Sequence, residues 1–250
     1  EWLKSHHKLI FLSHLCEKMA FFMKKYIPNT ITSLNLFSGC IGTVMVLNQE
    51  YMLAFYCVLA SGIFDFFDGM SARALHVKSL IGKELDSLAD VISFGFLPGA
   101  IIFTLLKDTS SNEYLPYLGF IITVFSALRL AKFNIDTRQS TDFIGVNTPM
   151  NTFFIVSLPF ILQDYPALKN TWLLLGIAIL TSLLLVSEIK LFSMKLSSLS
   201  WVVNKYKYLF LIISVVLLVI LKFLALPIIL VLYIVFSKIH FASEKEISEV

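Results

Sequence analysis

The chain has 250 residues, of which 57% are hydrophobic and only 15% are charged, and its formal net charge is +3. Soluble domains are roughly 45–50% apolar and about 25% charged. The composition therefore excludes a disordered chain and indicates a membrane protein, while the small net charge gives no reason to expect nucleic acid as a partner. The three cysteines, Cys16, Cys40 and Cys57, are odd in number and widely spaced, so they predict neither a disulfide framework nor a metal site.

Residues 1–25 precede the first long apolar window and mix large apolar side chains with lysines. Such a composition favours a helix that lies in the membrane interface. The alternative is that translation starts at Met23, in which case residues 1–22 are upstream sequence. Both interpretations stay open at this point.

Eight apolar windows approach the length of roughly 20 residues that a helix needs to cross a bilayer. They lie at residues 31–47, 51–68, 86–106, 115–133, 150–163, 171–189, 208–223 and 226–241. We therefore expect an all-α, polytopic transmembrane helical bundle of about eight spans, with residues 26–250 forming one membrane domain.

The basic residues are distributed unevenly between the two ends of these windows. With a cytoplasmic N-terminus, the outer loops carry only Lys107, Lys169 and Lys222, and the other 17 of the 20 lysines and arginines fall on or near the inner side. Cytoplasmic loops of membrane proteins carry such an excess of positive charge. We expect an integral protein of the bacterial cytoplasmic membrane, with both termini facing the cytoplasm.

Four aspartates are concentrated where the second window ends and the third begins. Residues three or four apart share a helix face, so Asp65 and Asp68 lie on one face of the second helix, and Asp86 and Asp90 on one face of the third. An inner loop between antiparallel helices would bring these carboxylates into one cavity. Unpaired in a bilayer, they would cost on the order of 10 kcal/mol. Hard divalent cations such as Mg²⁺, Mn²⁺ or Ca²⁺ are the compensation that carboxylate oxygens favour.

Three small residues lie in register with these aspartates. Gly69 and Ala72 share the face of the first two aspartates, and Gly82 precedes the last two on the next helix. Small side chains let a bulky or flat substrate group approach the backbone. Close packing of membrane helices is the alternative explanation.

The spacing of these residues matches a known signature. Every fixed position of the CDP-alcohol phosphotransferase signature is present, as Asp65-x2-Asp68-Gly69-x2-Ala72-Arg73-x8-Gly82-x3-Asp86-x3-Asp90. The chain therefore resembles the CDP-alcohol phosphatidyltransferase family, which implies a six-helix core, here with two further C-terminal helices. Residues 27–35 are similar to the family's N-terminal Pro-Asn motif, and residues 127–134 resemble a segment of its phosphatidylserine synthases.

The resemblance implies a two-metal transfer of the phosphatidyl group from CDP-diacylglycerol to an alcohol, with release of CMP. Its metal ligands would be Asp65, Asp68, Asp86 and Asp90, holding two divalent cations, Mg²⁺ or Mn²⁺, with Ca²⁺ as a substitute in crystals. Asp90 would also be the catalytic base. Residues implied for binding CDP-diacylglycerol are Asn35, Asp65, Gly69, Ala72, Arg73 and Gly82. The resemblance also implies a homodimer in contact with membrane lipids.

The segment at residues 127–134 implies that the acceptor alcohol is L-serine. Arg129 is the first candidate to bind the serine carboxylate, because a guanidinium pairs with a carboxylate through two hydrogen bonds. Lys132 and Asn134 are second choices, and anchoring at the inner membrane interface is the alternative role for all three. Residues 143–149 depart from the pattern of those synthases at Asn147, where the synthases carry proline.

Two other functions remain open from the sequence. The same chemistry with glycerol 3-phosphate or an inositol phosphate as acceptor would need a denser cationic pocket. A cation transporter would use the four aspartates as an ion path. Transport would favour ionisable groups at several membrane depths, whereas these acids are concentrated at the inner ends of two spans.

Overall fold

The computed structural model describes residues 2–77, 79–136, 142–194 and 201–248, and about 85% of this described part is helical. In that part of the chain, nine α-helices follow one another: α1 (Trp2–Leu47), α2 (Tyr51–Ala74), α3 (Leu80–Val91), α4 (Leu97–Thr109), α5 (Ile121–Ile135), α6 (Thr148–Asp164), α7 (Thr171–Val186), α8 (Trp201–Leu221) and α9 (Ala225–Ser248). Two short strands, β1 (Phe143–Ile144) and β2 (Lys190–Leu191), form an antiparallel pair.

Five helical segments of the described chain are long and apolar enough to cross a membrane. They are Tyr26–Leu47, Tyr51–Ala74, Leu80–Thr109, Leu115–Ile135 and Asn204–Ser243. The last segment contains both α8 and α9, which pack against each other and are separated by a short turn in which Lys222 has a φ of 50°. Helices α6 and α7 are apolar but shorter. The all-α polytopic membrane architecture is confirmed, and the count of eight spans stays a prediction.

Helix α1 continues through the boundary expected between the N-terminal segment and the first span. Pro28 lies inside this helix, although proline removes one backbone hydrogen bond and usually kinks or ends a helix. The carbonyl oxygen of Pro28 accepts a hydrogen bond of 3.0 Å from the Thr32 hydroxyl. The N-terminal segment therefore runs directly into the first span, and its location in the membrane interface stays a prediction.

Helices α3 and α4 form one column joined by a π-helical turn, Ile92–Phe96. Such turns insert extra backbone into a helix and are frequent at functional sites. Two carbonyl groups of this turn accept hydrogen bonds from neighbouring helices, Phe94 from the Thr152 hydroxyl (2.9 Å) and Gly95 from the Thr123 hydroxyl (3.0 Å). The turn is therefore tied to both α5 and α6.

Three helices meet at one backbone carbonyl. The carbonyl oxygen of Asn35 in α1 accepts hydrogen bonds from the hydroxyl groups of Ser61 (3.2 Å) and Ser93 (3.0 Å). Ser61 belongs to α2, and Ser93 belongs to the π-helical turn. Gly39 permits this close approach, because a Cβ atom there would overlap Ser93.

The loop between β1 and α6 is held against the end of α7. Gly145 has a φ of 77°, and a Cβ atom there would overlap the carbonyl oxygen of Leu185, so the position requires glycine. Its amide donates to the carbonyl of Ile189 over 2.9 Å. Asn147 then caps α6, because its side chain accepts from the Met150 amide over 2.8 Å. Since Asn147 has a φ of −72°, which a proline would also adopt, its departure from the family pattern leaves this backbone compatible with either residue.

Candidate active site

Three carboxylates from two helices meet at one point. Asp65 and Asp68 come from the C-terminal part of α2, and Asp86 comes from α3. One carboxylate oxygen from each lies within 4.8 Å of the others. Asp68 is buried, and the other two are half-buried. The acidic faces of the two helices therefore meet as their spacing predicts.

The chemistry of this cluster fits a divalent cation. Oδ1 of Asp86 is buried and has no hydrogen-bond partner among the described residues. An unsatisfied buried polar atom costs about 1–3 kcal/mol, and more when it is charged. Three carboxylates at this separation also repel one another unless positive charge lies between them. Hard oxygen donors in this arrangement are the set that Mg²⁺ and similar ions take.

Thr32 was not singled out from the sequence, yet it contacts the cluster directly. Its hydroxyl group donates to Oδ2 of Asp68 over 2.6 Å, and both residues are buried. The hydrogen bond fixes the orientation of a carboxylate that would bind metal, as outer partners of metal ligands commonly do. The sequence does contain an indication that Thr32 lies near the site, since it precedes Asn35 by one helical turn in the Pro-Asn segment and so shares its helix face.

Asp90 lies one helical turn beyond Asp86 and outside the group of three carboxylates within 4.8 Å. It is buried, and its Oδ1 accepts a hydrogen bond of 3.2 Å from Nδ2 of Asn35. Its carboxyl group also interacts electrostatically with the guanidinium of Arg129. Asp90 therefore interacts with Asn35 on one helix and with a buried cation on another.

A first cavity, of about 470 Å³, lies beside the carboxylate cluster, and this volume is within the usual range of ligand pockets. Asp68, Gly69, Ala72, Gly82 and Asp86 all line it. At Gly69, no atom beyond the adjacent helix backbone lies within 4 Å of the point that a Cβ atom would occupy. The predicted small residues thus border open space beside the acids.

The remaining residues predicted to bind CDP-diacylglycerol have different surroundings. Arg73 is exposed, and neither it nor Asn35 or Asp65 lines the first cavity. A Cβ atom on Gly82 would come within 2.8 Å of Oδ1 of Asn29, so this glycine also allows α1 and α3 to approach each other. Gly82 therefore both lines the first cavity and permits close packing of α1 against α3.

A second cavity, of about 290 Å³, is lined by Arg129 and Lys132 of α5 and by the end of α7. The Arg129 side chain is only 7% exposed, and its Nε has no hydrogen-bond partner within the described part of the chain. Its guanidinium carbon lies 5.8 Å from the ring centre of Phe133. Lys132 is exposed. Arg129 is thus a buried cation whose Nε donates no hydrogen bond to the described residues.

Asn134 lies outside the lining of the second cavity. Its side-chain Nδ2 donates to the Ser87 hydroxyl over 2.8 Å, and its backbone carbonyl oxygen accepts from Nζ of Lys83 over 2.9 Å. Both partners belong to α3, so in this structure Asn134 connects α5 to the helix that carries Asp86.

Comparisons with known proteins agree with this arrangement. The sequence model of the CDP-alcohol phosphatidyltransferase family matches residues 25–184. The CDP-diacylglycerol–serine O-phosphatidyltransferase of Helicobacter pylori strain J99 is 32% identical over 167 residues, covering 65% of this chain and 70% of that protein. The protein of the same name from Bacillus subtilis is 34% identical over 139 residues, or 54% and 76% of the two chains. An archaetidylserine synthase from Methanothermobacter thermautotrophicus is 28% identical over 156 residues, or 62% and 66%.

Proposed function

This chain belongs to the CDP-alcohol phosphatidyltransferase family, and we propose that it transfers the phosphatidyl group of CDP-diacylglycerol to the hydroxyl of L-serine, giving phosphatidylserine and CMP. The observation that carries the proposal is the meeting of Asp65, Asp68 and Asp86 beside an open cavity, with buried Arg129 interacting with Asp90. Relatives named as serine phosphatidyltransferases support the choice of acceptor.

In this proposal Asp65, Asp68 and Asp86 hold two divalent cations, Mg²⁺ or Mn²⁺, with Asp90 as a further ligand. When bound, such ions neutralise the diphosphate and stabilise the charge that develops on the leaving group. Thr32 keeps the Asp68 carboxylate in position.

Asp90 is the proposed base, and Asn35 orients it. The carboxylate accepts the proton of the serine hydroxyl as the oxygen attacks the phosphorus that carries diacylglycerol. The bond from that phosphorus to the oxygen of CMP breaks, and CMP leaves with the bonding electron pair. The Asn35 amide holds Oδ1 of Asp90, which leaves the other carboxylate oxygen for the proton.

CDP-diacylglycerol occupies the first cavity in this proposal. Gly69 and Ala72 leave the backbone of α2 accessible to the nucleotide, and Gly82 does the same on α3. Arg73, which is exposed near the end of α2, reaches a phosphate of the bound lipid. The acyl chains extend into the bilayer between helices whose apolar side chains face outward.

The serine carboxylate binds Arg129, with Lys132 contributing from the same cavity. Asn134 stays a predicted serine ligand, although its amide donates to Ser87 in this structure. We further propose that the enzyme is a homodimer in the bacterial cytoplasmic membrane, with its site on the cytoplasmic side.

The test is CMP release from CDP-diacylglycerol by the purified protein in detergent. We expect release that requires L-serine and a divalent cation and that stops on addition of EDTA. Glycerol 3-phosphate and inositol phosphate are the competing acceptors. Activity with either of them and none with serine would overturn the acceptor assignment. Serine-dependent release that survives Asp90→Asn would overturn the role of the base.

A further inference from the structure

The second cavity is lined by charges of both signs. Besides Arg129 and Lys132, it is lined by Asp136, directly after α5, and by Ser187 and Glu188, directly after α7. Arg129 is buried, whereas Glu188 is exposed, so the basic group lies deep and the acidic group lies nearer the opening. The cavity volume of about 290 Å³ leaves room for a small molecule. The cavity therefore suits a small zwitterion.

An independent observation points to a ligand in this cavity. Nε of Arg129 is a buried donor that no described residue satisfies. Buried donors without an acceptor destabilise a protein and are rare in native structures. A ligand carboxylate is the acceptor that matches a guanidinium best.

Resting on the proposed function, we propose that Glu188 binds the ammonium group of L-serine while Arg129 binds its carboxylate. Glu188 is then a specificity-determining residue for the acceptor. A phosphorylated alcohol carries two negative charges and no ammonium group, so the acidic side of the cavity would repel it. This repulsion disfavours glycerol 3-phosphate and inositol phosphate without any change in the carboxylate cluster.

Glu188 fits this role better than Asp136. Asp136 follows Lys132 by four residues, and its amide donates to the Lys132 carbonyl over 2.9 Å, so it lies on the same segment as the basic residues of the cavity. Glu188 reaches the cavity from a separate segment, directly after α7.

The segment that carries Glu188 is held from both sides. Gly145 donates to the carbonyl of Ile189, and Val146 donates to the carbonyl of Leu184 over 3.0 Å. The Ser187 hydroxyl donates to the same Leu184 carbonyl over 2.8 Å. These contacts position Glu188 before a ligand enters, which lowers the ordering cost of binding.

The experiment measures steady-state CMP release by purified wild-type and Glu188→Gln proteins. Because a hydrogen bond to a charged group contributes about 1.5–3 kcal/mol, the substitution should raise the KM for serine at least about tenfold. The KM for CDP-diacylglycerol should stay unchanged, and Glu188→Asp should recover part of the serine affinity. The matched control is Glu113→Gln, an exposed glutamate between α4 and α5 that lines neither cavity and should behave as wild type.

Inhibitors without a hydroxyl group separate the two charges of serine. L-Alanine keeps both charges, ethylamine keeps the ammonium group, and propionate keeps the carboxylate. Glu188→Gln should weaken inhibition by L-alanine and ethylamine and leave inhibition by propionate unchanged. Arg129→Lys should weaken inhibition by propionate more than by ethylamine. Equal weakening of all three inhibitors in Glu188→Gln would overturn the assignment, since it would indicate a general structural change.

The two proposals fail in different ways. If the wild-type protein releases CMP with another alcohol but not with serine, the proposed function is wrong and this inference falls with it. If the wild-type protein uses serine and Glu188→Gln keeps the same serine KM, only the role of Glu188 is overturned.

Discussion

Asn35 donates from its side-chain amide to the carboxylate of Asp90 over 3.2 Å, and this contact joins α1 to α3 inside the candidate active site. The backbone carbonyl of the same asparagine accepts from Ser61 and Ser93. One residue of α1 therefore both assembles the junction of three helices and orients the proposed base. Asn35 is fully buried, so its amide is unavailable to solvent and fixed in place.

Asn35→Ala should lower kcat for serine-dependent CMP release by about 10- to 100-fold, because Asp90 loses the group that orients it and positioning contributes strongly to rate. The KM for serine should change little. Ser33→Ala, an exposed position on the same helix, is the control and should retain activity. A large rise in the KM for CDP-diacylglycerol with an unchanged kcat would instead favour direct contact of Asn35 with that substrate.

Binding of Mn²⁺, measured by isothermal titration, tests the carboxylate cluster without any turnover. Asp86→Asn should abolish or strongly weaken binding, because this carboxylate has a buried oxygen with no protein donor. Thr32→Ala should weaken binding by about tenfold through the lost hydrogen bond to Asp68. Thr30→Ala removes an exposed hydroxyl two residues earlier and should leave affinity unchanged. Wild-type affinity in Asp86→Asn would contradict the site.

Gly69→Ala should reduce activity without reducing stability. The added methyl group meets no protein atom, but it enters the first cavity, so the KM for CDP-diacylglycerol should rise several-fold. Alanine also favours a helix over glycine by about 1 kcal/mol, so the melting temperature should stay the same or increase. Gly62 lies on the same helix with equally open surroundings but outside that cavity, so Gly62→Ala is the matched control. Equal kinetic effects of the two substitutions would argue against substrate binding at Gly69.

Gly145→Ala should affect serine more than CDP-diacylglycerol. Alanine at a φ of 77° is strained, and its Cβ atom would overlap the Leu185 carbonyl, so the segment that carries Glu188 must shift. We expect a loss of about 1–3 kcal/mol in unfolding free energy and a raised KM for serine. Gly176→Ala, at an open position within α7, should have neither effect. An unchanged KM for serine in Gly145→Ala would show that this loop does not shape the second cavity.

Local spacing was sufficient to predict the carboxylate cluster. Asp65 and Asp68 share a helix face at three residues' separation, and a short connection between α2 and α3 brings Asp86 close to them. The composition likewise predicted apolar helices, because a bilayer permits few other structures. These features depend on periodicity and chain connectivity, which a sequence displays directly.

Contacts between segments that are far apart in the chain could not be predicted from periodicity and local spacing. Thr32 reaches Asp68 across 36 residues, and no periodic pattern in either segment indicates that partner. The second cavity likewise depends on pairing between β1 and β2, whose residues lie on opposite sides of α6 and α7 in the chain. Each strand has only two residues, too few for alternation to be recognised. The presence of Glu188 and Arg129 in the lining of one cavity is therefore visible only in the structure.

The π-helical turn after Asp90 determines how the continuous column of α3 and α4 would respond to a deletion. Each residue of an α-helix rotates the next side chain by about 100° around the helix axis. The extra backbone in the π-helical turn therefore changes the direction in which the side chains of α4 point relative to those of α3. Removing one residue from Ile92–Phe96 would leave the two aspartates of α3 beside α2 while rotating the apolar face of α4 out of the core that it now fills. The turn therefore lets the two ends of the column be oriented independently. The end with Asp86 and Asp90 faces the carboxylate cluster, while the α4 end packs in the apolar core.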